Sequence, residues 1–476
     1  MNSYLNHYID GRWIKGTGDH NHVVINPATE EPVSEVVLGT TAEVEMAVDA
    51  ARTAFEKFSR TSKAERVALF ERIMTEYEKR TSDIARSISD EMGCPISIAT
   101  GEQVGAGLRQ FRGTLEALKD FTFEDSIGKS RVLFEPVGVA ALITPWNWPL
   151  NQISAKVAPA LAAGNAVILK PSEQTPGSAV IFAEVMEAAG VPSGVFNLVH
   201  GDGPGVGEAL STHPGIDMIS FTGSTRAGIL VAKNAASTVK RVHQELGGKC
   251  PDIILEGTSL DAALRGAANA ILINSGQSCH APTRILVHQS QHDEAVTRLA
   301  AIFNEQKIDD PAKEGPHIGP VVSKAQYEKI QSLIKKGIDE GATLAAGGLG
   351  LPPGKTKGYF VRPTIFGGVS NDMVIAREEI FGPVLVVIPY EDDADAIRIA
   401  NDTPYGLAAY IAGDPVKAKT IVPLLRAGGV YINVNGLTVD FDAPFGGYKQ
   451  SGNGHESGRF GIVDFLEVKA VIGELA

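Results

Sequence analysis

The chain has 476 residues, 43% hydrophobic and 21% charged, with a formal net charge of −13 at pH 7. That length predicts two or three domains at roughly 150 residues each, and the composition excludes wholesale disorder. The acidic balance argues against nucleic acid or an anionic membrane surface as a partner, while leaving room for a local basic pocket.

Tyr4 to Leu38 reads as short strands and turns, with Asp10-Gly11 as a hairpin signal. From Thr41 to about Glu91 the pattern is helical. Val44, Val48, Ala51 and Phe55 recur at helical spacing, and Val67, Phe70, Ile73 and Tyr77 continue it beyond Arg60-Thr-Ser-Lys. A further helix is predicted over Gly101 to Leu118. Strand and helix then alternate. Strands at Val137 to Ile143, Ala166 to Lys170, Val195 to Val199 and Met218 to Phe221 are separated by helices at Asn151 to Leu161, Pro176 to Ala188 and Gly205 to Leu210, and Thr225 to Ala235 is helical again. Such a series predicts a parallel sheet with right-handed crossovers.

After Leu246-Gly-Gly-Lys the alternation restarts, with strands at Pro251 to Leu255, Arg284 to Val287 and Val384 to Ile388. The helices between and after them run over Leu260 to Ile273, from Asp293, over Tyr327 to Gly337 and over Ala394 to Asn401. Gly247-Gly248 therefore marks the expected domain boundary. Phe465 to Ile472 alternates like an edge strand, open to pairing within its own sheet or with another subunit.

No run approaches the ~18 consecutive apolar residues that a membrane helix needs, and Met1 to Lys15 lacks the cationic and apolar pattern of a signal peptide. A cytoplasmic location is expected. The cysteines Cys94, Cys250 and Cys279 form neither a disulfide framework nor a CxxC pair, so at least one thiol is free and no metal is expected. The 51 glycines are spread along the chain, which suits βα turns and close approaches to a cofactor.

Several loops carry chemistry. Cys279 sits in Gly276-Gln-Ser-Cys-His-Ala-Pro-Thr-Arg, Glu245 in Gln244-Glu-Leu-Gly-Gly-Lys, and Asn147 in Thr144-Pro-Trp-Asn-Trp-Pro directly after a buried strand. Lys170-Pro-Ser-Glu and Phe221-Thr-Gly-Ser end two more strands, and the second opens a helix whose free N–H groups suit a pyrophosphate. Gly201-Asp-Gly-Pro-Gly-Val-Gly does not spell G-x-G-x-x-G and is weak evidence. Taken singly, the thiol reads more often as loop filler, the carboxylate as a solvated group and the Trp loop as a structural turn. Together, three successive strands end in polar or Gly-containing loops, where parallel sheets bind ligands, and a thiol and a carboxylate follow.

With Asn26-Pro-Ala-Thr, Pro136-Val-Gly-Val, Glu378-Glu-Ile-Phe-Gly-Pro and Pro444-Phe-Gly-Gly-Tyr-Lys-Gln-Ser-Gly, these motifs resemble the NAD(P)-dependent aldehyde dehydrogenase superfamily, in order and over nearly the whole chain. The resemblance implies an α/β fold with two Rossmann-like parallel-sheet domains and a small β oligomerisation element. These are expected as a dinucleotide-binding domain over 1–125 and 136–246, a catalytic domain over 247–445, and an oligomerisation element over 126–135 and 446–476. A homodimer or homotetramer is the implied assembly, with a small-molecule aldehyde as substrate.

The implied reaction oxidises the aldehyde to its carboxylic acid and reduces NAD(P)+. Cys279, as a thiolate, attacks the carbonyl to give a thiohemiacetal and then a thioester. Asn147 and the backbone N–H of Cys279 stabilise the oxyanion, and Glu245 activates the hydrolytic water, so hydrolysis is expected rather than acyl transfer to coenzyme A. Lys170, Ser172 and Glu173 fall near the adenosine ribose, Phe221, Gly223 and Ser224 at the pyrophosphate turn, Glu379 on the nicotinamide ribose, and Trp146 and Phe381 beside the cofactor. Lys156 and Glu456 match positions given proton-relay roles. Glu173 repels a 2′-phosphate, which favours NAD, while Lys170 keeps NADP open. Ser278 and His280 flank the nucleophile and Trp148 stands where other members often carry Phe; none of them identifies the aldehyde. His280 reads as pocket wall ahead of a contact to a polar substrate. Cys94 and Cys250 read as structural.

Overall fold

Short apolar runs bounded by Gly, Pro and Asn become the centre of the first sheet. In the computed structural model, which describes residues 1–473, Val139–Ile143, Ala166–Lys170, Phe196–Leu198, Met218–Thr222 and Arg241–Glu245 lie parallel. Across the sheet they run third, second, first, fourth, fifth. The order reverses between the first and fourth strands, and ligands bind at the carboxyl ends beside such a reversal. Asn6–Ile9 and Arg12–Lys15 extend one edge as an antiparallel hairpin turned at Asp10 and Gly11, both left-handed. The helix Pro149–Ala163 is buried along almost its whole length, starts on Pro149, and stops at Gly164 in the left-handed region.

The chain crosses to the second sheet over 246–249. There Thr364–Gly367, Val384–Tyr390, Pro282–His288, Cys250–Ile254, Ala408–Ala412 and Gly429–Ile432 run parallel in that spatial order, with Thr343–Ala346 antiparallel on the first edge. The chain is thus an α/β protein built on two parallel-strand sheets, as the resemblance implies.

A third, antiparallel sheet holds Leu466–Val471, Ser130–Pro136 and Glu124–Ile127, with Leu466–Val471 at its edge. The alternating end of the chain therefore pairs with its own Ser130–Pro136 on one side and leaves its other ladder free. The expected element over 446–476 divides differently. Gly452–Asn453 joins the first sheet beside Arg241–Glu245, and the helix Gly458–Asp464 packs on Val104–Asp120 and Pro149–Ala163. Lys156 anchors Glu456 at 2.5 Å, so the chain leaves the first sheet only after Asp464. Positions 474–476 lie outside the described residues.

Two local departures concern backbone form. The helix predicted over Gly101 to Leu118 is Val104–Asp120, entered through a π turn at Ala99–Gln103. The short helix predicted over Gly205 to Leu210 is a π turn, Gly203–Gly207, followed by Glu208–Thr212. Among the described residues, no helix is long and apolar enough to cross a membrane.

Candidate functional site

The Cys279 loop is shaped by backbone that most residues avoid. After the helix Leu260–Leu272, Asn274, Ser275 and Gly276 take φ of 54°, 55° and 76° in succession. Gly276 is required there, because a Cβ would lie 2.2 Å from the Gly382 backbone. Asn274 turns its side chain to use: its Nδ2 donates to the carbonyls of Asn147 (2.8 Å) and Gln277 (3.2 Å). Asn147 Nδ2 donates back to the Gln277 carbonyl at 3.1 Å, and Gln103 Nε2 donates to the Asn147 carbonyl at 3.1 Å and to Asn274 Oδ1 at 3.4 Å. Trp148 Nε1 donates to Ser278 Oγ at 2.8 Å. Asn147 and Cys279 therefore share one hydrogen-bonded frame, and the Asn147 amide keeps a second hydrogen.

The frame is dry. Burial pushes the Cys279 thiol well above its ordinary range, and the Glu245 and Glu379 carboxylates add to the rise. Burial likewise raises the Glu245 carboxyl well above the usual carboxylate range; Glu456 adds to this and Lys156 opposes it. Neither Glu245 oxygen has a hydrogen-bond partner among the described residues. Desolvation and neighbouring carboxylates act in the same direction here, both disfavouring the charged thiolate.

Lys156 and Glu456 are brought together, with Lys156 Nζ 2.5 Å from Glu456 Oε1 and 3.1 Å from Ser220 Oγ. Ser220 Oγ in turn lies 3.3 Å from His243 Nδ1, and His243 Nε2 lies 3.9 Å from Glu245 Oε1. His243, Ser220, Gln103 and Asn274 were not anticipated from sequence. For His243 a signal existed: it stands two residues before Glu245 on one strand, so the two share a face.

The expected cofactor residues line the same edge. Lys170 Nζ donates to the carbonyls of Gly201 (2.6 Å) and Pro171 (2.9 Å), with a Glu173 carboxylate oxygen at 3.7 Å and Ser172 buried beside them. Phe221 supports the Gly223 turn, where a Cβ would sit 2.6 Å from its ring. Ser224 caps the helix Thr225–Ala235 by accepting from the Ala227 N–H at 3.3 Å. Glu379 Oε1 accepts from the Gly248 N–H at 3.0 Å, and a Cβ on Gly248 would meet the Cys279 carbonyl at 2.3 Å. Trp146 and Phe381 meet edge to face, with ring centroids 5.4 Å apart. Among the described residues, no group of three or more His, Cys, Asp or Glu is placed to hold a metal ion.

Cys279 opens into a cavity of about 370 Å³, walled by Arg109, Gln110, Trp148, His280, Phe441 and Phe445. A larger hollow, about 770 Å³, lies between the helix Leu260–Leu272 and the strands Ala408–Ala412 and Gly429–Ile432, away from the thiol.

Residues 13–471 match the family described as the aldehyde dehydrogenase family. A 3-succinoylsemialdehyde-pyridine dehydrogenase from a Pseudomonas species is 52% identical over 476 residues, covering 99% of each chain. A crystal structure of an aldehyde dehydrogenase from Bartonella henselae superposes with a TM-score of 0.96 at 46% identity, covering 99% of both chains. Aldehyde dehydrogenase C from Pseudomonas syringae, a cysteine-to-alanine mutant complexed with NAD+ and octanal, gives a TM-score of 0.96 at 46% identity over 98% of this chain and 96% of that one.

Proposed function

The chain belongs to the aldehyde dehydrogenase family and oxidises an aldehyde to its carboxylic acid with reduction of NAD(P)+, and we propose that Cys279, Asn147 and Glu245 carry the chemistry, with NAD as the cofactor. Cys279 Sγ forms a bond to the carbonyl carbon as the carbonyl π pair moves onto oxygen. That oxyanion accepts hydrogen bonds from the free N–H of the Asn147 amide and from the backbone N–H of Cys279. The bound cofactor supplies the hydride acceptor. Glu245 as carboxylate then takes a proton from water, the remaining hydroxide bonds to the acyl carbon, and the C–S bond breaks to release the acid.

The observation that supports this assignment is the frame in which the Asn147 amide donates to the Gln277 carbonyl while Asn274 holds the Asn147 backbone carbonyl, fixing both against the Cys279 loop. The cofactor residues fit a dinucleotide through the bare Gly223 turn on a capped helix N-terminus and the Glu379 carboxylate fixed on Gly248. Glu173 favours NAD over NADP by its charge. Mixing the protein with NAD and a panel of aldehydes, and following absorbance of the reduced cofactor, tests the scheme. Cys279→Ala abolishes turnover; Glu245→Gln leaves one burst of reduced cofactor and a stalled acyl-enzyme. Steady turnover unchanged in Glu245→Gln would place the base elsewhere.

For the substrate, we assign an aldehyde whose far end is an aromatic or heteroaromatic ring. Trp148, Phe441 and Phe445 give the cavity aromatic walls, and the 52% identical relative is named for a pyridine-bearing semialdehyde. Higher kcat/KM for aryl-ended than for straight-chain aldehydes supports this; the reverse order refutes it. The assembly is assigned as a homodimer or homotetramer, supported by the free ladder of Leu466–Val471 and by Val468, 65% exposed on it. The cytoplasm, a reducing compartment, suits three free cysteines.

A further inference from the structure

Several polar side chains that wall the Cys279 cavity are bound to other protein groups. Trp148 Nε1 donates to Ser278 Oγ at 2.8 Å, and Gln110 donates to Asn151 Oδ1 at 3.2 Å while accepting from Ser457 Oγ at 3.1 Å. Glu456 is held by Lys156. Two others are not satisfied in this way. Gln152 Oε1 and His280 Nε2 have no hydrogen-bond partner among the described residues, although the two residues are only 5% and 6% exposed and both line this cavity. A buried polar group left unpaired is costly. Two of them on the wall of one hollow, beside the reacting sulfur, suit a polar group that enters it.

The fold fixes where both groups stand. Gln152 lies one turn beyond Trp148 on the helix Pro149–Ala163, and its backbone N–H donates to the Trp148 carbonyl at 2.9 Å, so the two side chains share a face. No protein group fixes the Gln152 amide oxygen, which leaves the amide able to turn its NH2 toward a ligand. His280 is wedged among aromatic rings. Phe445 meets it edge to face at 5.4 Å, Tyr431 lies tilted at 6.3 Å, and the Tyr410 hydroxyl donates to its backbone carbonyl at 2.8 Å. Burial lowers the imidazole to about 4, with the Thr438 backbone opposing, so the ring is neutral and carries one N–H. Nδ1 faces the Cys279 sulfur, where the thiolate is disfavoured. With the S–H as donor on that side, the ring proton sits on Nε2.

We propose that Gln152 and His280 select an aldehyde that carries a carbonyl oxygen on its chain, within a few carbons of the aldehyde group; this rests on the reading that Cys279 is the nucleophile and that its cavity takes the substrate. One carbonyl oxygen has two lone pairs and accepts from both N–H groups. A methylene in its place leaves both unpaired in a buried pocket, the condition under which a site rejects an analogue most sharply. Trp148, Phe441 and Phe445 take the ring, and the two polar groups set where along the chain the oxygen lies.

The test compares aldehydes that differ only at that oxygen: an aryl γ-ketoaldehyde and an aryl δ-ketoaldehyde, each against the arylalkanal with CH2 in place of the ketone. Every probe keeps the ring, so the ring preference cancels. In kcat/KM the full-length enzyme with NAD should favour at least one ketone by roughly 100-fold, about tenfold for each bond. Gln152→Met and His280→Phe, which keep much of the shape but lose the N–H, should each cut that preference about tenfold, and the double variant should bring it near unity. A merely structural role would lower kcat/KM for ketone and alkanal alike and leave their ratio in place, which overturns the proposal. A wild-type enzyme with no preference for either ketone overturns it too. Gln152→Ala and His280→Ala stand in for any variant whose melting temperature shows that it has not folded. Absence of NAD reduction with every aldehyde, or turnover by Cys279→Ala, sinks the underlying reading instead and is told apart by that.

Discussion

Lys156 Nζ lies 2.5 Å from Glu456 Oε1, and the two side chains are 0% and 4% exposed. The pair ties the helix Pro149–Ala163 to the segment returning from the second sheet, and it sits where both charges act on Glu245. Removing one partner strands the other. Glu456→Ala is expected to cost about 3–5 kcal/mol of stability, read as a fall in the denaturant midpoint. The double variant Lys156→Met, Glu456→Leu should recover most of that loss, since replacing a buried pair by apolar groups is often neutral.

The same pair sets a pH dependence. Glu456 raises the Glu245 carboxyl and Lys156 lowers it. In the proposed scheme Glu245 acts as carboxylate, so hydrolysis should rise with pH through its titration. Glu456→Gln removes a negative neighbour and moves the acid limb of the post-burst rate to lower pH. Lys156→Met removes a positive neighbour and moves it to higher pH. Limbs that stay in place, or shift in the opposite directions, would show that Glu245 does not govern that step.

Gly276 permits no side chain. With φ at 76° and a Cβ position 2.2 Å from Gly382, Gly276→Ala must displace either the Cys279 loop or the segment carrying Glu379 and Phe381. A shift of about 1 Å at a reacting centre costs on the order of 100-fold. Single-turnover kinetics on a variant that retains its circular dichroism spectrum would measure it.

The role proposed for Glu173 is to read the adenosine ribose. Glu173→Ser should lower kcat/KM with NAD and raise it with NADP, changing their ratio by roughly tenfold or more. An unchanged ratio would assign cofactor choice to other groups.

The free ladder of Leu466–Val471 predicts an oligomer. Light scattering on the wild-type protein should give a multiple of 50.3 kDa, and Val468→Lys, a charge on an exposed edge, should shift it toward the monomer. A monomeric wild type removes the assignment.

Strand and helix alternation was legible where a buried strand is a short apolar run flanked by breakers, as in Ala166–Lys170 between Asn165 and Pro171, and was missed at the polar strand Arg241–Glu245. Cys279, Glu245 and Asn147 were singled out by motif, and hydrogen bonds join the Asn147 loop to the loop that carries Cys279. The π turn at Ala99–Gln103 was not, because Ala-Thr-Gly-Glu-Gln carries no periodicity and Gln103 is held by bonds to residues 44 and 171 positions away. The left-handed Asn274 and Ser275 were hidden for a related reason: non-glycine residues take that conformation only when the surroundings impose it. The rise of the Cys279 thiol comes from burial and from Glu245 and Glu379 brought close by the fold, which local sequence does not show. The division at 446–476 was missed because Gly452 enters the first sheet by close backbone approach. A Cβ there would lie 2.0 Å from the Gln244 carbonyl, and a lone glycine does not announce that.

The hydrogen bonds around Asn274 have a mechanical meaning. Gln103, Asn147 and Trp148 belong to segments packed on the first sheet, whereas Asn274, Gln277 and Ser278 lead into the second. Four bonds cross between them, at 2.8 to 3.4 Å. Rotating the two halves apart would break all four together, each exposing a buried group to a penalty of about 1–3 kcal/mol. A jaw-like opening of the two halves is therefore costly at this point. Motion that admits one ligand and expels the next costs less at the rim, where side chains and loops can move without breaking these four bonds.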